Sequence, residues 1–493
     1  MRLLFGSARA ARMTGLLDPV VILAWLVALT AGSLWMSRAS RTGADLVEAH
    51  HDLPAWAICL SIVATETSTL TVISIPGIAY GHGFVFVGLG AGYLLGRFAV
   101  ARVMLPLYMR GDLASAYDYL GLRFGPAMQR LASVTFLLTR LLAEGVRLFA
   151  ATLPVCALLA ARGLPLSPLT VLVGMTALTA VYTAIGGLRA VVWSDTAQFT
   201  LYAFGAAISA WLLWRGLDAT QQGAIWTSGR LAVFGFHDAV LTSPYAPVTA
   251  IVGGALLAMA SHGADQLMVQ RAMAARSLRD AQRAMVASAI VVTVLFALLS
   301  LCGVLLWARE GGRALADMGF RSPDELFPRF IVQDLPPGLS GLLVAGVISA
   351  TMGSLSSALN AMTGSTLSDL LGRRDESRLL ARAVTAFWAV ALIAAALAFA
   401  GSSHSALVFG LQIAGYSYGA LLGAFLLGLV VRGAQERAAM AAFLATIVVM
   451  AVIIGFVRPG GETIAFPWLV PLGVCVTFLV GAPLTMLSRR GRA

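Results

Sequence analysis

Lysine is absent from this 493-residue chain, and all 34 of its basic residues are arginine. Charge of either sign is scarce: Asp, Glu, Lys and Arg together make 12% of the residues, against 59% hydrophobic. That balance lies far outside the range of soluble globular domains. It excludes a water-soluble enzyme or binding module and leaves a polytopic membrane protein. The arginine-only usage is a compositional bias to which we attach no function. Cysteines are also few. Cys59, Cys156, Cys302 and Cys475 lie inside apolar segments, at spacings that suit neither a metal site nor a disulfide, and read as small packing residues. The net charge of +11 would suggest a nucleic-acid partner in a soluble protein. Here the arginines sit in short loops between apolar runs, where they orient helices, so no such partner is expected.

Catalytic signatures are missing as well. Gly88-Leu89-Gly90-Ala91-Gly92 has the look of a dinucleotide loop but falls within an apolar run with no preceding strand. His262 and Asp265 form an acid–base pair without a third member. No nucleophile–base pair, metal-ligand cluster or phosphate loop stands out, and the chain is not expected to be an enzyme.

What the chain has in abundance is long apolar runs. A bilayer-crossing helix needs roughly 20 apolar residues, and runs of that kind predict about thirteen helices, at about 17–36, 55–79, 83–108, 127–160, 166–186, 190–214, 245–262, 282–308, 337–365, 379–401, 404–431, 437–457 and 466–487. The fold class is therefore all-α, in one membrane domain over residues 1–493. Arg2, Arg9 and Arg12 precede the first run as in a signal peptide. The run is long for such a segment and lacks a clear cleavage site, so we read it as a retained first span. The distribution of arginines places the C-terminus in the cytoplasm. Arg38, Arg41, the Arg97–Arg130 region, Arg189, Arg271–Arg283, Arg373–Arg382, Arg432, Arg437 and Arg489–Arg492 then face inward. A bacterial inner-membrane location is expected.

Two spans are interrupted. The second carries Ala64-Thr65-Glu66-Thr67-Ser68-Thr69 and then Pro76-Gly77; the seventh carries Ser261-His262-Gly263-Ala264-Asp265-Gln266. They lie five spans apart, as if each opened one half of a repeated unit. Unwound helices at corresponding positions of two inverted halves mark the ion and solute sites of secondary transporters, because freed carbonyls and helix ends meet there at mid-depth. The other reading is a pair of packing kinks.

Three further features bear on chemistry. Glu66 is too costly to face lipid and must meet either a wet cavity or a hydrogen-bonded seam between helices. The ninth span, Ala350-Thr351-Met352-Gly353-Ser354-Leu355-Ser356-Ser357, is rich in small and hydroxyl residues. It suits either oxygen ligation of a hard cation or close helix packing. Arg140, Glu144 and Arg147 share one face of the fourth span at spacings of four and three. Either they close on one another as ion pairs, or Arg140 stays free to grip an anionic group with its planar fork.

The run Tyr182-Thr183-Ala184-Ile185-Gly186-Gly187-Leu188-Arg189-Ala190-Val191-Val192-Trp193-Ser194-Asp195-Thr196-Ala197-Gln198 resembles the signature of the sodium:solute symporter family. Ala64–Gly77, Asp265-Gln266 through Gln270-Arg271, and Gly346–Asn360 resemble further family runs in the same order. The resemblance covers roughly residues 17–487. It implies a leucine-transporter-like fold with a 5+5 inverted-repeat core. Repeat one lies at about 55–214 and repeat two at about 245–431, with additional helices at 437–457 and 466–487. It implies alternating access and a co-transported Na+.

The same resemblance implies site residues. The main sodium site falls on carbonyls of Ala64, Thr67 and Ala350 and on hydroxyl positions at Gly353 and Ser354. Gly353 departs from the family, which usually has a hydroxyl there; the Thr67 hydroxyl or a water would have to replace it. A second cation site falls on Asp195, Ser356 and Ser357, although an aspartate at a helix end is also explained as an exposed N-cap. The solute pocket falls on Glu66, Ser68, Thr71, Phe86, Arg140 and Gln412. Sugar-transporting members have a glutamine and a glutamate where this chain has Thr71 and Gly90, and an aromatic gate where it has Ser261, which argues against a sugar. Sialic-acid transporters of the family are more similar, so the resemblance implies a carboxylate solute bound by Arg140. The expected function is sodium-coupled symport of a small organic solute. The alternatives are a proton-coupled permease using Glu66, or a membrane solute sensor, which would need an unseen partner because the chain ends about six residues after its last span. Oligomeric state is not legible.

Overall fold

The computed structural model describes residues 2–36, 52–111, 113, 115–161, 163–372, 377–399 and 406–490, with backbone alone at 2–16, 34, 36, 406–412 and 488–490. Among them the elements are helical, apart from one isolated parallel bridge between Leu53 and Ala275. The helices that position the site are α1 (Arg2–Met36), α2 (Ala55–Glu66), α3 (Thr69–His82), α4 (Leu89–Ala99), α5 (Pro126–Ala161), α6 (Pro168–Gly216), α7 (Gly254–Met259), α8 (Gln266–Met273), α9 (Leu278–Arg309), α10 (Leu339–Ser365), α11 (Arg378–Ala398), α12 (Ala406–Val430), α13 (Glu436–Phe456) and α14 (Phe466–Arg490). Nine helical stretches among the described residues are long and apolar enough to cross a membrane, and three shorter apolar helices accompany them. The chain is a multi-pass, all-α membrane protein.

Both spans break at Ala64–Thr69 and Ser261–Gln266 as expected, whereas Pro76-Gly77, expected to interrupt the second span again, lies inside the continuous helix α3. Between α2 and α3 the backbone leaves the helical region at Thr67 (φ −88°, ψ 95°) and Ser68 (φ −85°, ψ 171°). Before α8 it does so at Asp265 (φ −98°, ψ 122°), whose Oδ1 accepts the Leu267 N–H at 2.9 Å and caps the new helix. The two interrupted helices are tied at one end. The Arg276 guanidinium donates to the Asp52 carbonyl at 2.8 Å, beside the Leu53–Ala275 bridge.

α10 is the central element. Of the most apolar stretch of Leu339–Leu370, 94% is buried, against 28% for the corresponding stretches of α11 and α13. A helix so enclosed cannot carry bulky side chains all round, and α10 is rich in Gly, Ala, Ser and Thr, which let neighbouring backbones approach. It packs on α6, α5 and α1. Asp18 of α1 accepts the Gly338 and Gly341 N–H groups at 2.5 and 2.9 Å, satisfying donors at the α10 N-terminus. Trp25 Nε1 donates to Ser349 Oγ at 2.7 Å. α9 packs against α2 and α3, and a Cβ on Gly303 of α9 would lie 2.2 Å from the Pro76 carbonyl oxygen.

The junction expected between spans at about 166–186 and 190–214 lies inside α6, which bends at Gly187. Its φ of 62° and ψ of −167° place it in a region open essentially to glycine alone. Gly187→Ala should therefore cost about 1–3 kcal/mol of stability and lower the melting temperature of the detergent-solubilised protein. An unchanged melting temperature would show that the bend tolerates a side chain.

Candidate functional site

The interruption in the second span is held against α10 from both sides. Before it, the Thr65 and Ser357 hydroxyls lie 3.1 Å apart. After it, Thr69 Oγ1 donates to the Val347 carbonyl at 2.6 Å and pairs with the Thr351 hydroxyl. These clamps hold the break alongside α10. The break removes i→i−4 donors that would serve carbonyls in the last turn of α2, the turn that carries Ala64. The Thr67 hydroxyl is buried beside the Tyr202 phenol, and Ser354 Oγ donates to the Ala350 carbonyl at 3.2 Å. Carbonyls and hydroxyls from two elements suit a hard cation. Gly353 faces α6 beside Gln198.

Asp195 is fully buried within α6, so the exposed N-cap reading fails. Its Oδ2 accepts from Ser61 Oγ at 2.7 Å, Thr65 Oγ1 at 3.4 Å and Arg271 Nη2 at 3.4 Å. The same Nη2 donates to Ser357 Oγ, while Ser356 Oγ donates to the Gly353 carbonyl at 3.0 Å. An internal guanidinium thus lies at the positions expected to hold a second cation. Arg271 was expected to face inward with the loop arginines up to Arg283; α8 instead carries it into the core, where it is fully buried.

The solute positions divide into groups. Ser68 lines a narrow cleft of about 20 Å³ with Thr69, Glu144, Arg147, Thr351 and Ser354. Glu66 turns away to pair with Arg97 of α4 and lies 3.8 Å from His262 Nε2. Arg97, counted with the inward-facing arginines, is fully buried and also donates to Ser288 Oγ at 2.7 Å. Phe86 packs edge-on against Phe296, with ring centroids 5.0 Å apart. Thr71 is half-buried and does not line the cleft. The Gln412 side chain lies outside the described residues.

Arg140 is buried and engaged on both terminal nitrogens. Nη1 donates to Glu144 at 3.0 Å; Nη2 donates to Tyr418 Oη at 2.9 Å and to Asp265. Tyr418 Oη in turn donates to Asp265 at 2.7 Å, and Arg147 Nη1 donates to Glu144 at 3.1 Å. Two arginines and two carboxylates balance, and the ion-pair reading of this helix face describes what is seen. Arg147, with its side chain 26% exposed, is the arginine of that face that opens on the cleft. Asp265 closes the network from the second interrupted helix, a partner that spacing along α5 could not reveal. Arg97 and Arg271 carried one sequence signal, an arginine beside or within an apolar run, which is costly unless paired.

Two interrupted helices meeting at a central hydroxyl-rich helix form an architecture that secondary transporters use. Comparison with known proteins agrees. The sequence model of the sodium:solute symporter family matches residues 48–446, and the chain belongs to that family. It is 27% identical over 428 residues to the human sodium/iodide cotransporter, covering 84% of this chain and 66% of that one. It is 28% identical to human sodium-coupled monocarboxylate transporter 1 (72% and 58% covered) and 24% identical to the sodium/sialic acid symporter of Proteus mirabilis (74% and 73%). The match thus spans less than two thirds of the length of two of these three relatives. A solved Na+-coupled sialic acid symporter, in a substrate-bound outward-open state, shares the fold with a TM-score of 0.82 and 23% identity. It covers 96% of this chain and 98% of its own.

Arg140→Gln leaves two buried carboxylates short of a partner and should destabilise by about 3–5 kcal/mol, read as a large fall in melting temperature. Arg147→Gln should leave the fold near its wild-type stability. Equal melting temperatures for the two variants would contradict the network drawn here.

Proposed function

We propose that the chain is a sodium-coupled symporter that carries a small organic carboxylate by alternating access. It resides in a bacterial inner membrane with its C-terminus in the cytoplasm. The observation that carries the reading is the position of Ser354. Its hydroxyl donates to the Ala350 carbonyl, one of the cluster of oxygens we assign to the cation, and the same residue lines the cleft that holds Arg147. A cation bound to that cluster would fix the cleft wall, so sodium and solute would each favour the other's binding by the same factor. Ala64, Thr67, Ala350 and Ser354 would supply oxygen to the ion. Arg271 would supply a fixed positive charge beside Asp195, giving one sodium per cycle.

Arg147 would meet the solute carboxylate with Ser68 and Thr69 beside it, and Arg140 would stand behind, holding Glu144 and Asp265. Iodide and monocarboxylates, named for two of the relatives, are anions. A proton-coupled reading rests on a different group, Glu66, placed between Arg97 and His262. The two readings separate in proteoliposomes. An inward sodium gradient should drive accumulation of a monocarboxylate or sialic acid, and Arg147→Gln should raise its KM about tenfold or more. Accumulation driven by a pH gradient alone, without sodium, would replace sodium coupling with protonation of Glu66.

A further inference from the structure

Most polar groups around the cleft are already committed to the protein. Thr69 gives its hydroxyl proton to the Val347 carbonyl at 2.6 Å, so Thr351 is the donor in the Thr69–Thr351 pair. Ser354 gives its proton to the Ala350 carbonyl at 3.2 Å. Glu144 accepts from Arg140 and Arg147 through one oxygen, and as a carboxylate it has no proton to offer. Two donors remain. Ser68, the N-cap residue of α3, makes no side-chain cap bond. Arg147 binds Glu144 through Nη1, which leaves Nη2 and Nε for a ligand. The other lining residues, Leu70, Leu148, Ala151 and Leu355, are aliphatic and no more than 5% exposed.

Helix geometry orders these groups along α5. Its side chains tilt towards the N-terminus, and the Arg147 guanidinium accordingly reaches back to Glu144 at 3.1 Å. Ala151 stands one turn further on, on the same face. A carboxylate held by Arg147 therefore leaves the remainder of its molecule beside Leu148 and Ala151. The cleft of about 20 Å³ has room for about one water. What fits along it without parting the leucines is thin, a methylene chain and not a ring.

We infer that the solute is a monocarboxylate with a short, unbranched aliphatic tail, and that Leu148 and Ala151 set the length of tail accepted. A second carboxylate would meet Glu144 and hydroxyls whose protons are already given away. A sugar acid would set several hydroxyls against four aliphatic side chains, and each hydroxyl left there without a partner is costly. The inference rests on the carboxylate-symport reading and deepens it, since that reading leaves the remainder of the solute open.

The test is sodium-driven uptake of radiolabelled butyrate, acetate, succinate and sialic acid into proteoliposomes of the full chain, with unlabelled acids as competitors. Butyrate should accumulate, and succinate and sialic acid should fail to compete with it even at about hundredfold excess. Ala151→Leu narrows the tail end of the cleft. It should raise KM for butyrate about tenfold or more and leave that for acetate within about threefold, the scale on which a pocket reads one methylene. Leu148→Ala should do the reverse and make a longer acid, hexanoate, the strongest competitor. Residues with a structural role alone would lower kcat or the melting temperature for every acid alike. That result in both variants, with the order of chain lengths unchanged, would overturn the assignment of Leu148 and Ala151. Sodium-driven accumulation of sialic acid or succinate in place of butyrate would overturn the aliphatic tail while leaving carboxylate symport intact. If none of the four acids accumulates with sodium, the carboxylate reading falls and the tail assignment with it.

Discussion

Everything in this protein that can do chemistry depends on a stretch of backbone that is not helical in a place where helix is nearly obligatory. In hydrocarbon an unsatisfied peptide group costs several kcal/mol, so irregular backbone persists only where protein or a polar cavity surrounds it. Thr67 and Ser68 meet that condition because α10 covers them, fastened through Thr65 to Ser357 on one side and through Thr69 to Thr351 and Val347 on the other. The requirement then propagates outward. α10 must be buried, hence its small residues. Its N-terminus must be satisfied away from water, hence Asp18 supplied by α1.

The second interruption is paid for differently. Asp265 caps α8 with one carboxylate oxygen and gives the other to Arg140 and Tyr418. This charged network ties α5, α8 and α12 together and ends at Arg147, where it opens on the cleft. A parallel network runs from Asp195 through Arg271 to Ser61 and Ser357. Buried ion pairs of this kind contribute little net stability, yet removing one partner is severe. They are better understood as fixing which groups remain available. Arg147 is left facing the cleft.

The two breaks were legible because hydroxyl and acidic residues stand out against an apolar background, and both fall where those residues put them, while the Pro76-Gly77 pair is absorbed within α3. The family was legible from the run ending at Gln198. Burial of the charged residues was not. Arg97 lies inside the run at 83–108 and Arg271 between two runs, and nothing along the chain says that Glu66 and Asp195 are near enough to pair with them. Arg140 illustrates the same limit. Spacing paired it with Glu144, but only folding brought Asp265, 125 positions away, to its other nitrogen.

The sequence by itself determined that this chain is a bundle of membrane helices, where two of them break, and which family it belongs to, because those properties are carried by local apolarity and by short contiguous runs. Tertiary structure alone decided which arginine faces the cleft, that an internal guanidinium stands beside Asp195, and that the amide of Gln198 fills the space beside Gly353. Each of these is a pairing between residues distant in sequence. Its outcome is set by the cost of leaving a buried charge or oxygen unmatched, and that cost exists only once the helices have packed.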